Sequence, residues 1–177
     1  MKSKLKKSLI LIVDFLSMLL LIALDQYTKY LAVINLKDRP AIPIIEDVFE
    51  LKYLENRGAA FGMLQNQKVF FVFVACIILV AICYVLFKMP NKKKYGWLHM
   101  LLVLIASGAV GNMIDRIRLE YVVDFFYIVL INFPIFNVAD IYVSVACVLL
   151  ALFILFYYSE QDFNFLSIRE KRVREID

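Results

Sequence analysis

Four long apolar runs constrain this chain more than any other feature of its sequence. Residues 69–87 form a run of 19 side chains without a charge, and residues 8–24, 97–114 and 141–158 are nearly as apolar. A helix of about 20 apolar residues can cross the roughly 30 Å hydrocarbon core of a bilayer. The chain is 63% hydrophobic, whereas soluble domains are about 45–50% apolar. We therefore predict a mainly α membrane protein with four transmembrane helices, organised as a single membrane-embedded domain over residues 1–177.

Lysine and arginine residues determine the predicted orientation of these spans. Basic clusters occur in three places, which are residues 1–7 (MKSKLKK), 88–94 (KMPNKKK) and 169–174 (REKRVR). Cytoplasmic segments of membrane proteins carry an excess of lysine and arginine. Both termini, including a tail at residues 159–177, are therefore predicted to be cytoplasmic. Segments 25–68 and 115–136 are then predicted to be extracytoplasmic.

The extracytoplasmic segments differ in pattern from the spans. Residues 49–54, FELKYL, alternate apolar and charged side chains, which is typical of a strand, and a turn-prone run, NRGAAFG, follows at 56–62. We expect a small β-containing unit on the membrane surface. Residues 121–136 are apolar enough to suggest a fifth span, but they are short, carry Asp124 and contain Pro134. A fifth span would also move the basic tail outside, so we favour a segment that lies on or dips into the membrane.

The residue types that bind metals do not occur in ligand-like patterns. Cys76, Cys83 and Cys147 lie inside apolar runs, and His99 has no second histidine or cysteine close in sequence. This spacing fits neither a disulfide framework nor a zinc site, and the thiols are expected to face lipid or neighbouring helices. The sequence predicts no cofactor, no metal and no nucleic-acid partner.

Two aspartates lie in unusually apolar surroundings near the predicted outer face. Asp124 has two valines before it and two phenylalanines after it, and Asp140 ends the run FPIFNVAD and opens the fourth span. A carboxylate in a membrane-embedded region is costly, which suggests a function. Two carboxylates held together share one proton. The ionised one can take a proton from water, and the protonated one can polarise a carbonyl and later protonate the leaving amine. Such a pair would hydrolyse a peptide bond without a metal.

The surroundings of the two aspartates predict different protonation states. Asp140 is expected in the first turn of the last helix, with Asn137 as a possible cap, where the helix dipole favours an anion. The bulky apolar neighbours of Asp124 favour its neutral form. Two aspartates 16 positions apart also fit a structural pair, an ion site or a proton relay. Asp14, inside the first apolar run, receives no functional role.

Five ordered motifs carry a resemblance to a known family. They are DQYTK at 25–29, NRGAAF at 56–61, GAVGNMIDR at 108–116, VVDF at 122–125 and FNVAD at 136–140. In sequence and order they resemble the motifs of the lipoprotein signal peptidases (signal peptidase II), which are bacterial membrane aspartyl proteases. The resemblance covers nearly the whole chain. It implies that Asp124 and Asp140 are a catalytic dyad. It also implies that the substrate is a prolipoprotein, cut just before a cysteine that carries diacylglycerol.

The other matched positions are predicted to bind substrate or to support the site. Asn112 and Arg116 are four residues apart and share a helix face, where they could hold the substrate backbone or its lipid carbonyls. Arg116 alternatively caps a helix end and contacts headgroups. Asp25 and Lys29 are also four apart and are expected to pair with each other. Asn56 and Gly58 are expected to shape a turn over the site, and Gly108 is expected to allow close helix packing. Asn137 is expected to orient Asp140 or cap its helix, and Asp115 is expected to be a local partner of Arg116.

The predicted function is thus an aspartic endopeptidase of the bacterial cytoplasmic membrane, with its active site near the extracytoplasmic face. It is expected to act as a monomer on lipid-modified prolipoproteins, in contact with membrane lipids. The alternatives are a small proton-coupled transporter or channel that uses Asp124 and Asp140 as a relay, and a non-enzymatic assembly protein. A transporter would be favoured by internal repeats, and the two halves of the sequence show none.

Overall fold

The computed structural model describes residues 2–58 and 63–167. Its four α-helices are α1 (Lys2–Leu36), α2 (Lys68–Lys88), α3 (Gly96–Leu119) and α4 (Val138–Phe156). Its strands are β1 (Ile42–Ile45), β2 (Phe49–Asn56) and β3 (Val122–Ile128). All four helices are long and apolar enough to cross a membrane. The predicted fold class, a four-helix membrane protein with a small β-containing unit, is confirmed.

Helix α1 is longer than the predicted first span, which ended at residue 24. It continues to Leu36 and stops before Asp38, whose φ of 57° is left-handed, and before Pro40. The polar residues that suggested a surface segment remain helical because two of them neutralise each other. Asp25 and Lys29 are both buried and form an ion pair of 2.9 Å, one helical turn apart. A polar stretch can therefore continue a membrane helix when its charges are paired against the bundle.

The three strands form an antiparallel sheet in the order β1-β2-β3. Strand β2 contains the predicted strand 49–54, and its register pairs Leu54 with Asp124 and Asn56 with Val122. Residues 121–136 do not form a fifth spanning helix. They contain β3 and a returning loop, and the loop pairs with the strand because Phe136 and Phe126 exchange backbone hydrogen bonds of 2.8 and 3.0 Å. The side chains of Val123 and Phe125 pack in a buried cluster with α1, whereas Leu130, Ile131 and Phe133 in the loop stay exposed.

Helix α3 is the centre of the bundle and contacts the other three helices. Two glycines let its neighbours approach closely. A Cβ atom on Gly108 would lie 2.5 Å from the backbone oxygen of Ala139 on α4, and a Cβ atom on Gly111 would lie 2.5 Å from Oδ2 of Asp25 on α1. Both contacts are too short for any larger residue. The predicted role of the small residues of this helix in close packing is confirmed.

We call the end of the bundle next to the sheet the sheet end, and Lys6, Lys7 and the basic run 88–94 lie at the other end. At that opposite end, Tyr95 donates a hydrogen bond to the backbone oxygen of Asp162, and Asp162 pairs with Lys94. Residues Glu160–Leu166 form a short 3-10 helix that packs there. The predicted basic run 169–174 lies outside the described residues. Asp14, which had no assigned role, contacts Nδ1 of His99 at 2.6 Å.

Candidate active site

Asp124 lies at the sheet end, in β3, which contacts α1 and α3. Its side chain is only 1% exposed. Each carboxylate oxygen accepts one hydrogen bond from an asparagine amide. Asn137 Nδ2 donates to Oδ1 at 2.6 Å, and Asn56 Nδ2 donates to Oδ2 at 2.8 Å. The strand pairing of β2 with β3 is what brings Asn56 to Asp124, since the two residues are far apart in sequence.

Asp140 lies in the first turn of α4, as the sequence predicted, and Asn137 is its N-cap. Asn137 Oδ1 accepts the backbone N–H of Asp140 at 3.0 Å, while Asp140 Oδ2 accepts the backbone N–H of Asn137 at 3.1 Å. This reciprocal capping box fixes the start of the helix and the direction of both side chains. The other carboxylate oxygen, Oδ1, accepts a hydrogen bond of 2.8 Å from Asn112 Nδ2.

Two asparagine amides connect the two carboxylates. Asn137 Nδ2, which donates to Asp124, also donates to Asn112 Oδ1 at 3.1 Å, and Asn112 in turn donates to Asp140. The chain of contacts is therefore Asp124–Asn137–Asn112–Asp140, built from β3, the start of α4 and α3. The arrangement brings together two aspartates that are distant in sequence and orients them by shared polar partners.

The surroundings of Asp124 favour its neutral form. Burial is the larger cause, and the nearby charge of Asp140 adds to it, while the two asparagine donors act in the opposite direction. The net result raises the pKa of Asp124 to about 7. The expectation that its apolar neighbours favour the protonated acid is confirmed in direction. An acid with such a pKa can hold a proton near neutral pH and release it during a reaction.

A cluster of buried charges lies beside the two aspartates. Lys29 pairs with Asp25 at 2.9 Å and with Asp115 at 3.0 Å, and it donates to Asn112 Oδ1 at 2.8 Å. The predicted pairing of Asp25 with Lys29 is confirmed. Asp115 had been interpreted as a local partner of Arg116, and this was wrong, because successive residues on a helix point in different directions. Its Oδ2 atom instead accepts the backbone N–H of Val123 and contacts Lys29.

Gln26 was not singled out by sequence reasoning. Its Nε2 atom donates to Asp115 Oδ1 at 2.9 Å and to the backbone oxygen of Gly111 at 3.2 Å, so it ties α1 to α3. Asp25 extends the same connection to α4, because its Oδ1 atom accepts the backbone N–H of Ala139 at 3.0 Å. The DQYTK motif contained this glutamine, and its position directly beside Asp25 was the available signal.

Arg116 closes the other side of the site. Its Nη2 atom donates to the backbone oxygen of Gly58 at 3.1 Å, and its guanidinium carbon lies 4.4 Å from the ring centre of Phe71. Asn56 Oδ1 accepts the N–H of Gly58 at 3.0 Å, which confirms the predicted turn. A Cβ atom on Gly58 would collide with the backbone oxygen of Met63. Phe71 was missed because an aromatic residue in an apolar run carries no local signal.

The two aspartates open onto a mainly apolar cavity of about 540 Å³ between the sheet and the helices. A second cavity of about 330 Å³ adjoins it and extends between α2, α3 and α4. Asp124 lines the first cavity only. The residues that line both are Phe71, Asn112, Arg116, Asp140 and Ser144. Gly108 borders the second cavity, whereas Asp25, Lys29 and Asp115 lie behind the dyad. Within the described residues, no group of three or more His, Cys, Asp or Glu side chains could hold a metal ion.

Comparison with known proteins identifies the family. The family model for signal peptidase (SPase) II matches residues 17–156, which include both aspartates and all five motifs in full. The chain belongs to the signal peptidase II family. A lipoprotein signal peptidase from Clostridioides difficile (strain 630) is 45% identical over 145 residues, covering 82% of this chain and 96% of that protein. One from Streptococcus thermophilus (strain CNRZ 1066) is 48% identical over 136 residues, covering 77% and 88%.

Solved structures support the family assignment. A bacterial membrane enzyme superposes with a TM-score of 0.72 at 30% sequence identity, covering 81% of this chain and 87% of that one. A second bacterial membrane enzyme gives 0.70 at 29% identity, with coverages of 82% and 94%. The protein is thus a membrane peptidase of the signal peptidase II family. The transporter and assembly-protein alternatives are not favoured.

Proposed function

We propose that Asp124 and Asp140 are the catalytic dyad of this signal peptidase II, and that they activate water to cut a signal peptide from a lipid-modified prolipoprotein. The single observation that carries the proposal is the asparagine chain that joins the two carboxylates where both line one cavity. The relatives are named lipoprotein signal peptidases, which supports a prolipoprotein as the substrate.

The chemistry follows from one proton held by two carboxylates. At rest, Asp140 is ionised at the helix N-terminus and Asp124 carries the proton, in keeping with its pKa of about 7. Asp140 takes a proton from water as the water oxygen bonds to the peptide carbonyl carbon, and the Asp124 hydroxyl keeps its proton and donates a hydrogen bond to the developing oxyanion. Asp124 then protonates the nitrogen as the carbon–nitrogen bond breaks. The products are a carboxylic acid and an amine, and the pair still holds one proton.

The cavities suggest how a lipidated substrate is held. The cysteine to be released carries acyl chains, and the apolar walls of the adjoining cavities offer surface for them and for the apolar signal peptide. Asn112 and Arg116 line both cavities and can donate to substrate carbonyl groups. Asn56 and Asn137 hold Asp124, while Asp25, Lys29 and Asp115 support the site from behind. Gly108 keeps α3 and α4 close, and Gly58 gives the turn that Arg116 binds.

The enzyme is proposed to lie in the bacterial cytoplasmic membrane with the sheet end facing outwards. The support is the distribution of lysine, because the exposed Lys6, Lys88, Lys92 and Lys93 lie at the opposite end of the helices. The spans are proposed around residues 8–24, 69–87, 97–114 and 141–158, and the first span continues in α1 beyond residue 24. Both termini are then cytoplasmic, and the strands and loops within segments 25–68 and 115–136 are outside. Since one chain supplies both aspartates, a monomer is sufficient for activity.

Cleavage of a defined substrate tests the proposal. Purified enzyme in nanodiscs is incubated with a prolipoprotein that carries diacylglyceryl-cysteine, and the shortened product is measured by mass spectrometry. Asp124→Asn and Asp140→Asn are expected to abolish cleavage. The matched control is Asp14→Asn, an acid near the opposite end of the bundle, which should cleave at the parental rate per folded molecule. Normal cleavage by either dyad variant would disprove the proposed roles.

A further inference from the structure

We infer that Lys29 is a positioning residue for the dyad, which holds the Asn112 amide in the orientation that presents its N–H groups to Asp140. The inference rests on the proposed function, because it assigns a role toward the same pair of aspartates. It goes beyond the pairing of Lys29 with Asp25 and makes Lys29 part of the apparatus that controls proton transfer.

The hydrogen bonds of Asn112 leave its amide one orientation. Its Oδ1 atom accepts from Lys29 Nζ at 2.8 Å and from Asn137 Nδ2 at 3.1 Å, while its Nδ2 atom donates to Asp140 Oδ1 at 2.8 Å. A flipped amide would direct its N–H groups at the Lys29 ammonium, which has only donors. It would also face Asp140 with an oxygen atom. Lys29 therefore excludes the flipped state, in which Asp140 loses a donor.

The three contacts of Lys29 indicate more than a structural tie. An ammonium has three N–H groups, and here they face Asp25, Asp115 and Asn112. A single carboxylate would neutralise one buried lysine, and two carboxylates already leave this cluster with a net charge of −1. The third N–H is thus not needed for charge balance. It connects the buried cluster to the amide chain that holds the dyad.

The charges around the dyad come from several elements. Helix α1 contributes Asp25 and Lys29, and α3 contributes Asp115 and Arg116, while the dyad itself comes from β3 and α4. Among the described residues, α2 presents Phe71 and β2 presents Asn56, both uncharged. The positive charge of Lys29 acts to lower the pKa of Asp124, against the larger effect of burial.

The structural alternative is that Lys29 only ties α1 to α3 through its two ion pairs. In that case its loss would lower the stability of the protein and the amount of folded enzyme, and the remaining enzyme would change only through the lost charge, with kcat at its optimal pH unchanged. A positioning role predicts in addition a lower kcat at the optimum of the folded fraction, because Asn112 no longer presents its N–H groups to Asp140 in one orientation.

Opposite substitutions in one ion pair separate the two roles. Lys29→Met removes a cation, so the bell-shaped pH profile of kcat should move to higher pH by roughly one unit. The value of kcat at the optimal pH should fall about 10- to 100-fold, while KM should change less than about threefold. Asp25→Asn removes an anion and should move the profile to lower pH. Both variants should lower the melting temperature. Lys68→Met, which loses an exposed contact with Glu120, should move neither the acidic nor the basic side of the profile.

The outcomes are distinguishable from failure of the proposed function. Opposite shifts in the two variants, together with a lower optimal kcat in Lys29→Met, support the positioning role. An unchanged optimal kcat in Lys29→Met, unchanged profiles in both variants, or shifts in the same direction overturn it while the dyad assignment stands. If Lys29→Met does not fold, Asp25→Asn decides, because a profile that is unmoved or moves upwards overturns the inference. Infrared titration of the Asp124 carboxyl stretch needs no substrate. Its midpoint pH should move in each variant in the same direction as the pH profile of kcat. Cleavage by Asp124→Asn would instead refute the function itself.

Discussion

Gly111→Ala tests whether the close approach of α3 to the buried charge cluster is required. In the structure, a Cβ atom at this position would lie 2.5 Å from Oδ2 and 3.1 Å from Cγ of Asp25. Asp25 has no exposed surface, and its oxygens already bind Lys29 and the backbone N–H of Ala139. The carboxylate must move by several tenths of an ångström or more. It then loses its contact with Lys29 or its hydrogen bond from Ala139.

The magnitude follows from the contacts that must change. Overpacking of this kind costs about 1–3 kcal/mol, and weakening one hydrogen bond to a charged group costs about 1.5–3 kcal/mol. Alanine is the better helix former by about 1 kcal/mol, which offsets part of the loss. We expect the free energy of unfolding to fall by about 2–4 kcal/mol, and the melting temperature by roughly 5–15 °C for a protein of this size.

The assay is thermal unfolding of the purified protein in a mild detergent, followed by intrinsic fluorescence, with Gly96→Ala as the matched control. A Cβ atom on Gly96, at the start of the same helix, would meet nothing within 4 Å. That substitution should be neutral or stabilise the protein by up to about 1 kcal/mol. If Gly111→Ala proves as stable as Gly96→Ala, the tight contact with Asp25 is not a constraint on this fold.

Three further predictions concern the dyad, the arginine and the opposite end of the bundle. The pKa of Asp124 is raised to about 7, so its protonation stabilises the folded state most at low pH and this contribution is lost as pH rises from about 4 towards 7. The free energy of unfolding, measured with denaturant, should therefore fall less over that pH range in Asp124→Asn than in the parental protein. An equal fall in both proteins would contradict the raised pKa. Arg116→Lys should lower kcat/KM about tenfold, measured by steady-state cleavage, because an ammonium cannot both stack on an aromatic ring and reach Gly58 O. His99→Gln, which removes the contact with Asp14, should lower the melting temperature by roughly 2–4 °C and leave kcat per folded enzyme unchanged; a lower kcat would connect this pair to the chemistry.

The sequence alone determined the elements whose pattern is local. Apolar runs of bilayer length predict helices wherever they occur, because every backbone group in lipid must be paired within the segment. The alternation in residues 49–54 predicted β2, and Asn137 three positions before Asp140 predicted the cap of α4. Five motifs in order identified the family. For these features, the residues that matter are neighbours in the chain.

Only the tertiary structure decided which polar groups meet. The extension of α1 past residue 24, the strand at Val122–Ile128 and the pairing of Asp115 with Lys29 all depend on partners from other elements. A polar side chain looks the same in a sequence whether water or a buried ion pair satisfies it. Its partner is determined by helix packing and strand register, which bring together groups that are 80 or more positions apart, such as Lys29 and Asn112.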